Sequence, residues 1–175
     1  MRALVLFPDG FAAEAFTVVD VLRRGFVETT TAGLTSTIVQ GATKIKFMAD
    51  SKLTDIRADD YDVLVLPGGS GHRNLLNSKA VIEIIKNFDK QKKYLAAMCE
   101  SPIVLAKAGV IENKIVAVYP GYESQVPRPR EAKVIVAGNV ITCRFPADAI
   151  DFALKLVEIA QGKKTAMKLK QELIA

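Results

Sequence analysis

The stretch Tyr94-Leu95-Ala96-Ala97-Met98-Cys99-Glu100-Ser101-Pro102-Ile103-Val104-Leu105-Ala106-Lys107-Ala108-Gly109 decides the fold. Residues 94–98 form a short apolar run, and residues 101–109 carry helical periodicity. That succession predicts a strand, a sharp turn and a helix. Cys99 stands in the turn, at the carboxyl end of a sheet and beside the N-terminus of a helix. The helix dipole and its free N–H groups favour an anion there, which predicts a thiol with a depressed pKa and nucleophilic character. The competing reading is a small buried hydrophobe, a common fate of free cysteine.

Working outward, apolar runs alternate with amphipathic stretches. Residues 2–7 predict a first strand. Residues 12–27 place Ala15, Phe16, Val19, Leu22 and Phe26 at helical spacing. Residues 29–40 read as strand with turns, and residues 43–48 as a short strand. Residues 61–66 predict a buried strand, stopped by Pro67-Gly68-Gly69. Residues 79–90 predict a helix, and 114–118 another short strand. Residues 132–136 and 140–144 flank Gly138-Asn139, a hairpin signal. Pro146 opens a helix over 147–161, Gly162 stops it, and a short basic helix ends the chain. This order predicts an α/β fold: a mostly parallel sheet with helices on both faces and a C-terminal β-hairpin. Without repeats, linkers or low-complexity segments, residues 1–175 read as a single domain.

Composition narrows the function classes. The chain has 175 residues, 50% hydrophobic and 25% charged, which is ordinary for a globular protein able to bury a core. No apolar run approaches the ~20 residues of a membrane helix. The N-terminal apolar stretch is too short for a signal peptide and lacks a small-residue cleavage pattern, so the chain reads as cytoplasmic. Two Cys and one His predict neither a disulfide framework nor a transition-metal site. The net charge of +5 comes largely from scattered lysines. Without a zinc finger, an aromatic stacking motif or a clear helix-turn-helix, no dedicated nucleic-acid binding is expected.

In an open α/β sheet, ligands bind outside the carboxyl ends of the strands, near a switch in strand order. Three groups fall at such ends: the loop after the first strand with Glu14, the Pro67-Gly68-Gly69 turn, and Cys99. The sequence predicts that they converge.

The chain resembles the ThiJ/PfpI (DJ-1) superfamily, nearest its DJ-1-like branch. The resemblance rests on residues 2–6, Glu14 with Asp20, residues 63–69, Ala96-Ala97-Met98-Cys99, residues 140–144 with Pro146, and Phe152-Ala153-Leu154 followed by Val157-Glu158. It implies a flavodoxin-like three-layer sandwich, a homodimer, and Cys99 as the reactive residue of a nucleophile elbow. It further implies that Glu14 faces the sulfur, where a protonated carboxyl could donate to a thiolate. The Gly69 and Glu100 backbone N–H groups would form an oxyanion hole. Arg144 matches a residue near the pocket that can hold an anion; the other reading is a surface Arg at a hairpin end.

Three departures stand out. Tyr119, before Pro120, occupies the place of a His that assists proton transfer in the family, and tyrosine with a pKa near ~10 is a poor base at neutral pH. Glu100 follows the nucleophile, where the DJ-1-like branch has a small residue and the protease-like branch a His. Its side chain could enter the pocket or face solvent. His72, the only histidine, could line the pocket or lie exposed in its loop. Cys143 reads as a filler in a strand or, if close to Cys99, as a resolving thiol.

The resemblance implies a cofactor-independent, cysteine-dependent enzyme acting on a small reactive aldehyde such as methylglyoxal, or on glycated substrates. Arg144, Tyr119 and His72 are its candidate substrate-binding residues. An oxidation sensor using Cys99 without turnover is the alternative. A peptidase of the PfpI type is the weaker one, because no His follows Cys99.

Overall fold

The computed structural model describes residues 1–174; Ala175 lies outside the described residues. The chain opens with strand β1 (Arg2–Phe7) and helix α1 (Glu14–Arg24), followed by β2 (Glu28–Gly33). Two short strands, β3 (Ile38–Gln40) and β4 (Lys46–Met48), precede β5 (Ser51–Lys52) and β6 (Val63–Leu66). Helices α2 (His72–Asn77) and α3 (Lys79–Lys90) lead to β7 (Tyr94–Met98) and α4 (Pro102–Lys107). The hairpin β8 (Val134–Ala137) and β9 (Val140–Cys143) is followed by α5 (Ala149–Gln161) and α6 (Lys163–Ile174).

Seven strands form one sheet in the order β5-β2-β1-β6-β7-β9-β8. Every pairing in it is parallel except β8 with β9. Period-two alternation sorts each strand between two cores. Ala3, Val5 and Phe7 of β1, with Val63 and Val65 of β6, pack under α1, α5 and α6. Leu4, Leu6, Leu64 and Leu66 face the other way, under α2, α3 and α4. Each of those leucines is fully buried. Burial of such a side chain contributes about 1.5–3 kcal/mol, so the central strands anchor both layers.

The structure trims and splits several expected elements. The first helix ends at Gly25 because Phe26 turns into the left-handed region at φ 59°. The stretch over residues 29–40 divides into β2 and β3. Gly33, which ends β2, lies so close to the Ser36 carbonyl that a Cβ there would overlap its oxygen. Strand β3 leaves the main sheet and pairs antiparallel with β4. The expected strand over 114–118 does not form. Val116 makes only an isolated bridge to Pro129, its N–H donating to the Arg128 carbonyl and its carbonyl accepting from Arg130. Pro127 and Pro129 have no N–H to extend a ladder.

From β1 the chain steps to β2 on one side, while β6 lies on the other. The switch point is therefore the crevice outside the carboxyl ends of β1 and β6. The loop bearing Glu14 follows β1, Pro67-Gly68-Gly69 follows β6, and Cys99 follows the adjacent β7.

Candidate active site

Cys99 follows the last residue of β7 with φ 54°, in the left-handed region. For a residue with a Cβ this costs roughly 1–2 kcal/mol. Hydrogen bonds on every side hold it there. Its N–H donates to the Cys143 carbonyl at 2.8 Å, its carbonyl accepts from Tyr119 N–H at 2.9 Å, and Ser101 N–H donates to the Met98 carbonyl at 2.8 Å. The buried Ser101 hydroxyl donates to the Pro67 carbonyl, tying the elbow to the neighbouring turn. The side chain of Cys99 is thereby lifted off the strand line into the switch-point crevice.

Glu14, the first residue of α1, meets it there. Cys99 Sγ lies 3.7 Å from Glu14 Oε1, within hydrogen-bond reach of sulfur. Burial raises the Glu14 pKa above its ordinary value. Hydrogen bonds from its own backbone and from Cys99 oppose the rise, and the Glu100 charge adds to it. Burial, followed by the charges of Glu14 and Glu100, also pushes the Cys99 thiol up. This corrects the depressed thiol pKa expected from the turn position. Cys99 is only 2% exposed, so its loss of hydration outweighs the pull of a short helix.

The turn after β6 fits around this pair. A Cβ on Gly68 would stand 2.7 Å from Cys99 Cβ, 2.7 Å from Glu14 Oε1 and 2.9 Å from Cys99 Sγ. Gly68 is thus the residue that permits the contact between thiol and carboxyl, although the sequence drew attention to Gly69. Gly69 itself has φ 98°, and a Cβ there would strike Ala12 N and the Gly10 carbonyl oxygen at 2.6 Å. Its N–H is already engaged: it donates to Glu100 Oε2 at 2.9 Å. Glu100 therefore turns its side chain inward. Its own N–H has no hydrogen-bond partner among the described residues.

The profile of the DJ-1/PfpI family matches residues 1–159. The chain belongs to the DJ-1/PfpI family. Parkinson disease protein 7 homolog of Danio rerio is 38% identical, with 99% of this chain and 96% of that protein covered. A Caenorhabditis elegans protein described as glutathione-independent glyoxalase DJR-1.2 is 30% identical over 96% of this chain and 94% of its own. Among solved structures, oxidized Toxoplasma gondii DJ-1 superposes with a TM-score of 0.95 at 30% identity, covering 99% of this chain and 97% of its own. The flavodoxin-like sandwich of this DJ-1/PfpI chain is accordingly that of its structural relatives.

The remaining candidates of this DJ-1/PfpI site take other positions. His72 is buried in the first turn of α2, not exposed in a loop. Its Nδ1 lies 2.9 Å from the Gly69 carbonyl oxygen, and its ring meets Tyr122 edge-on at 5.7 Å. It braces the Gly69 turn from behind. Tyr119 is half-buried; its N–H holds the elbow, and its ring packs edge-on against Phe145 at 6.0 Å. The Arg144 guanidinium pairs with Glu131 at 3.1 Å and Glu123 at 3.9 Å and leans over Phe145. Its charge is therefore shared with two carboxylates. Cys143 is fully buried, its Sγ 3.4 Å from the Phe145 carbonyl oxygen, and both cysteines are free. Burial pushes the Cys143 thiol up to about 12.

Sequence reading missed the packing that fixes the loop after β1. Phe7, Phe11, Phe16 and Phe47 form one aromatic cluster, with centroids 4.6–5.8 Å apart. It locks the loop after β1 against the β3–β4 hairpin. The Phe11 carbonyl accepts from Ala42 N–H, and Ala12 N–H donates to the Gly68 carbonyl at 2.9 Å. The signal available was the Phe7, Phe11, Phe16 spacing, which bridges a strand, a loop and a helix and fits no single periodicity.

Proposed function

We propose that this protein is a cofactor-independent enzyme that converts small reactive carbonyls through a Cys99 hemithioacetal, as a glyoxalase or deglycase. The observation that carries the reading is the Glu14 carboxyl 3.7 Å from the sulfur of a residue held at φ 54°. The two groups share one dissociable proton, because the charge of either opposes ionisation of the other. With the proton on Glu14, the carboxyl donates to the thiolate and its charge no longer opposes that thiolate.

On methylglyoxal, the Cys99 sulfur bonds to the aldehyde carbon and the carbonyl pair moves onto oxygen, which takes a proton. Glu14 then moves a proton from the aldehyde carbon to the ketone carbon, while the hydroxyl proton of the hemithioacetal passes to the ketone oxygen. The first carbon is oxidised, the second reduced, and a thioester of the hydroxy acid results. Water cleaves the thioester, releasing lactate and the thiol. The Glu100 N–H, and the Gly69 N–H once its present partner moves aside, would stabilise the oxyanion. The glyoxalase named among the relatives supports this chemistry. The test is methylglyoxal turnover: the native protein forms lactate and Cys99→Ala forms none, and full turnover by Cys99→Ala would refute the reading.

We further propose a cytoplasmic homodimer. Ile38 and Met48, paired in register on the β3–β4 hairpin, are 63% and 75% exposed, which supports a covered apolar face. A monomer mass in analytical ultracentrifugation would remove the dimer. No helix among the described residues is long and apolar enough to cross a membrane.

The oxidized Toxoplasma gondii relative favours a second reading, oxidation sensing. One peroxide would convert the thiolate to a sulfenate with loss of water, and a second would give a sulfinate that a protonated Glu14 could hydrogen-bond. Selective uptake of oxygen at Cys99 in intact mass spectra, without methylglyoxal turnover, is its expected signature.

A further inference from the structure

The Gly69 N–H is a rigidly held donor on the turn beside Cys99. Its φ of 98° and its packing against Gly10 and Ala12 leave the peptide little freedom. A rigid N–H beside a nucleophile is a place for an oxygen anion. Here an oxygen anion already occupies it: Glu100 Oε2, at 2.9 Å. Glu100 is the residue directly after the nucleophile, and its carboxylate sits on the turn whose Gly68 packs against Cys99. Its charge is felt by both Cys99 and Glu14.

We propose that Glu100 is a specificity-determining residue whose carboxylate takes the place of a substrate anion on the Gly69 N–H, so that the Cys99 site admits neutral or cationic electrophiles and excludes anionic ones. An incoming carboxylate or phosphate meets the Glu100 charge on the donor it would need. Arg144, the cation that the sequence offered for holding an anion, is engaged by Glu131 and Glu123. A neutral dicarbonyl meets no such repulsion and needs only the carboxylate to swing off the N–H. The substrate class therefore runs to uncharged aldehydes such as methylglyoxal, or to glycated amines, and away from 2-oxo acids such as glyoxylate. That assignment rests on the carbonyl-acting reading; charge selection at the sulfur does not.

The test is alkylation of Cys99 in the native protein by iodoacetamide and by iodoacetate, resolved from Cys143 by peptide mass spectrometry. The ratio of the two rate constants is referred to that of N-acetylcysteine. Repulsion by one charge across a few ångströms of water predicts an iodoacetamide preference about fivefold above the free thiol. Glu100→Gln keeps an oxygen acceptor for the Gly69 N–H but loses the charge, so its ratio falls toward that of the free thiol. Should that variant fail to fold, salt provides the same test on the native protein: screening accelerates iodoacetate and leaves iodoacetamide unchanged. A native ratio equal to the free thiol's, or one that neither Glu100→Gln nor salt alters, overturns the proposal. Charge selection without methylglyoxal turnover removes the catalytic reading and keeps the gate. Turnover without charge selection removes the gate and keeps the enzyme.

Discussion

Glu14 and Cys99 come from distant parts of the chain, the start of α1 and the turn after β7, yet Glu14 Oε1 and Cys99 Sγ lie 3.7 Å apart. Burial raises the pKa of both, and the charge of Glu14 raises that of the thiol further. The carboxyl thus has two separable effects: as an anion it opposes the thiolate, and as an acid it supplies a proton.

Glu14→Gln separates them. The amide carries no charge, so the thiol ionises at lower pH than in the native protein, and the midpoint of Cys99 alkylation by iodoacetamide shifts downward. Gln cannot move a proton, so methylglyoxal turnover falls by about 10²–10⁴, the usual contribution of a positioned acid–base group. A thiol midpoint that stays put or rises would show that Glu14 is protonated beside the thiolate, its donated hydrogen bond doing at least as much as its charge. Unchanged turnover would show that another group moves the proton.

The buried thiols make stability sensitive to alkali. Burial pushes Cys143 from 9.0 up to about 12 in the folded protein. In the unfolded chain it ionises near 9, so the unfolded state releases a proton that the folded state retains. The stability contributed by this group is therefore fully present below pH 9 and is lost as pH rises towards 12. The limiting slope is about 1.4 kcal/mol per pH unit for one thiol. Cys143→Ala removes that component. Urea denaturation at a series of pH values between about 8.5 and 10.5 should show a shallower loss for the variant. Parallel curves would mean that Cys143 ionises equally easily in both states.

Much of this was legible in the sequence, for reasons visible in particular residues. Alternating Leu4, Val5, Leu6 and Leu64, Val65, Leu66 match a sheet covered on both faces, because the strand period of two sends successive side chains into different cores. Strand–turn–helix around Cys99 gave the elbow, and strand ends gave the three groups at the crevice. The direction of the Cys99 shift was not legible. It depends on how far the sulfur is buried and on two carboxylates, one at the start of α1 and one on the residue that follows Cys99. Nor was the contact of Glu100 with Gly69, since an acid just ahead of Ser101 and Pro102 has the same local sequence whether it faces solvent or Gly69. Local apolar content also overstated residues 114–118, where the partner strand would have to pair through prolines.

Gly68 offers the sharpest test of whether contact between the thiol and carboxyl matters. The residue is buried, and its φ lies outside the left-handed region, so alanine is acceptable to the backbone. What it cannot accept is the methyl group, which would stand 2.7 Å from both Cys99 Cβ and Glu14 Oε1. Cys99 cannot retreat, because its N–H and carbonyl are tied to Cys143 and Tyr119. Glu14, on the first turn of α1, is the partner able to move. Gly68→Ala should therefore cost about 1–3 kcal/mol of stability, the usual penalty for an added methylene in a packed site. It should also push the carboxyl away from the sulfur, mimicking Glu14→Gln in turnover. The thiol midpoint distinguishes the two variants. A displaced Glu14 still carries its charge, so the midpoint falls less in Gly68→Ala than in Glu14→Gln. Native turnover in a folded Gly68→Ala would mean that the 3.7 Å contact is dispensable, and with it the role assigned to Glu14.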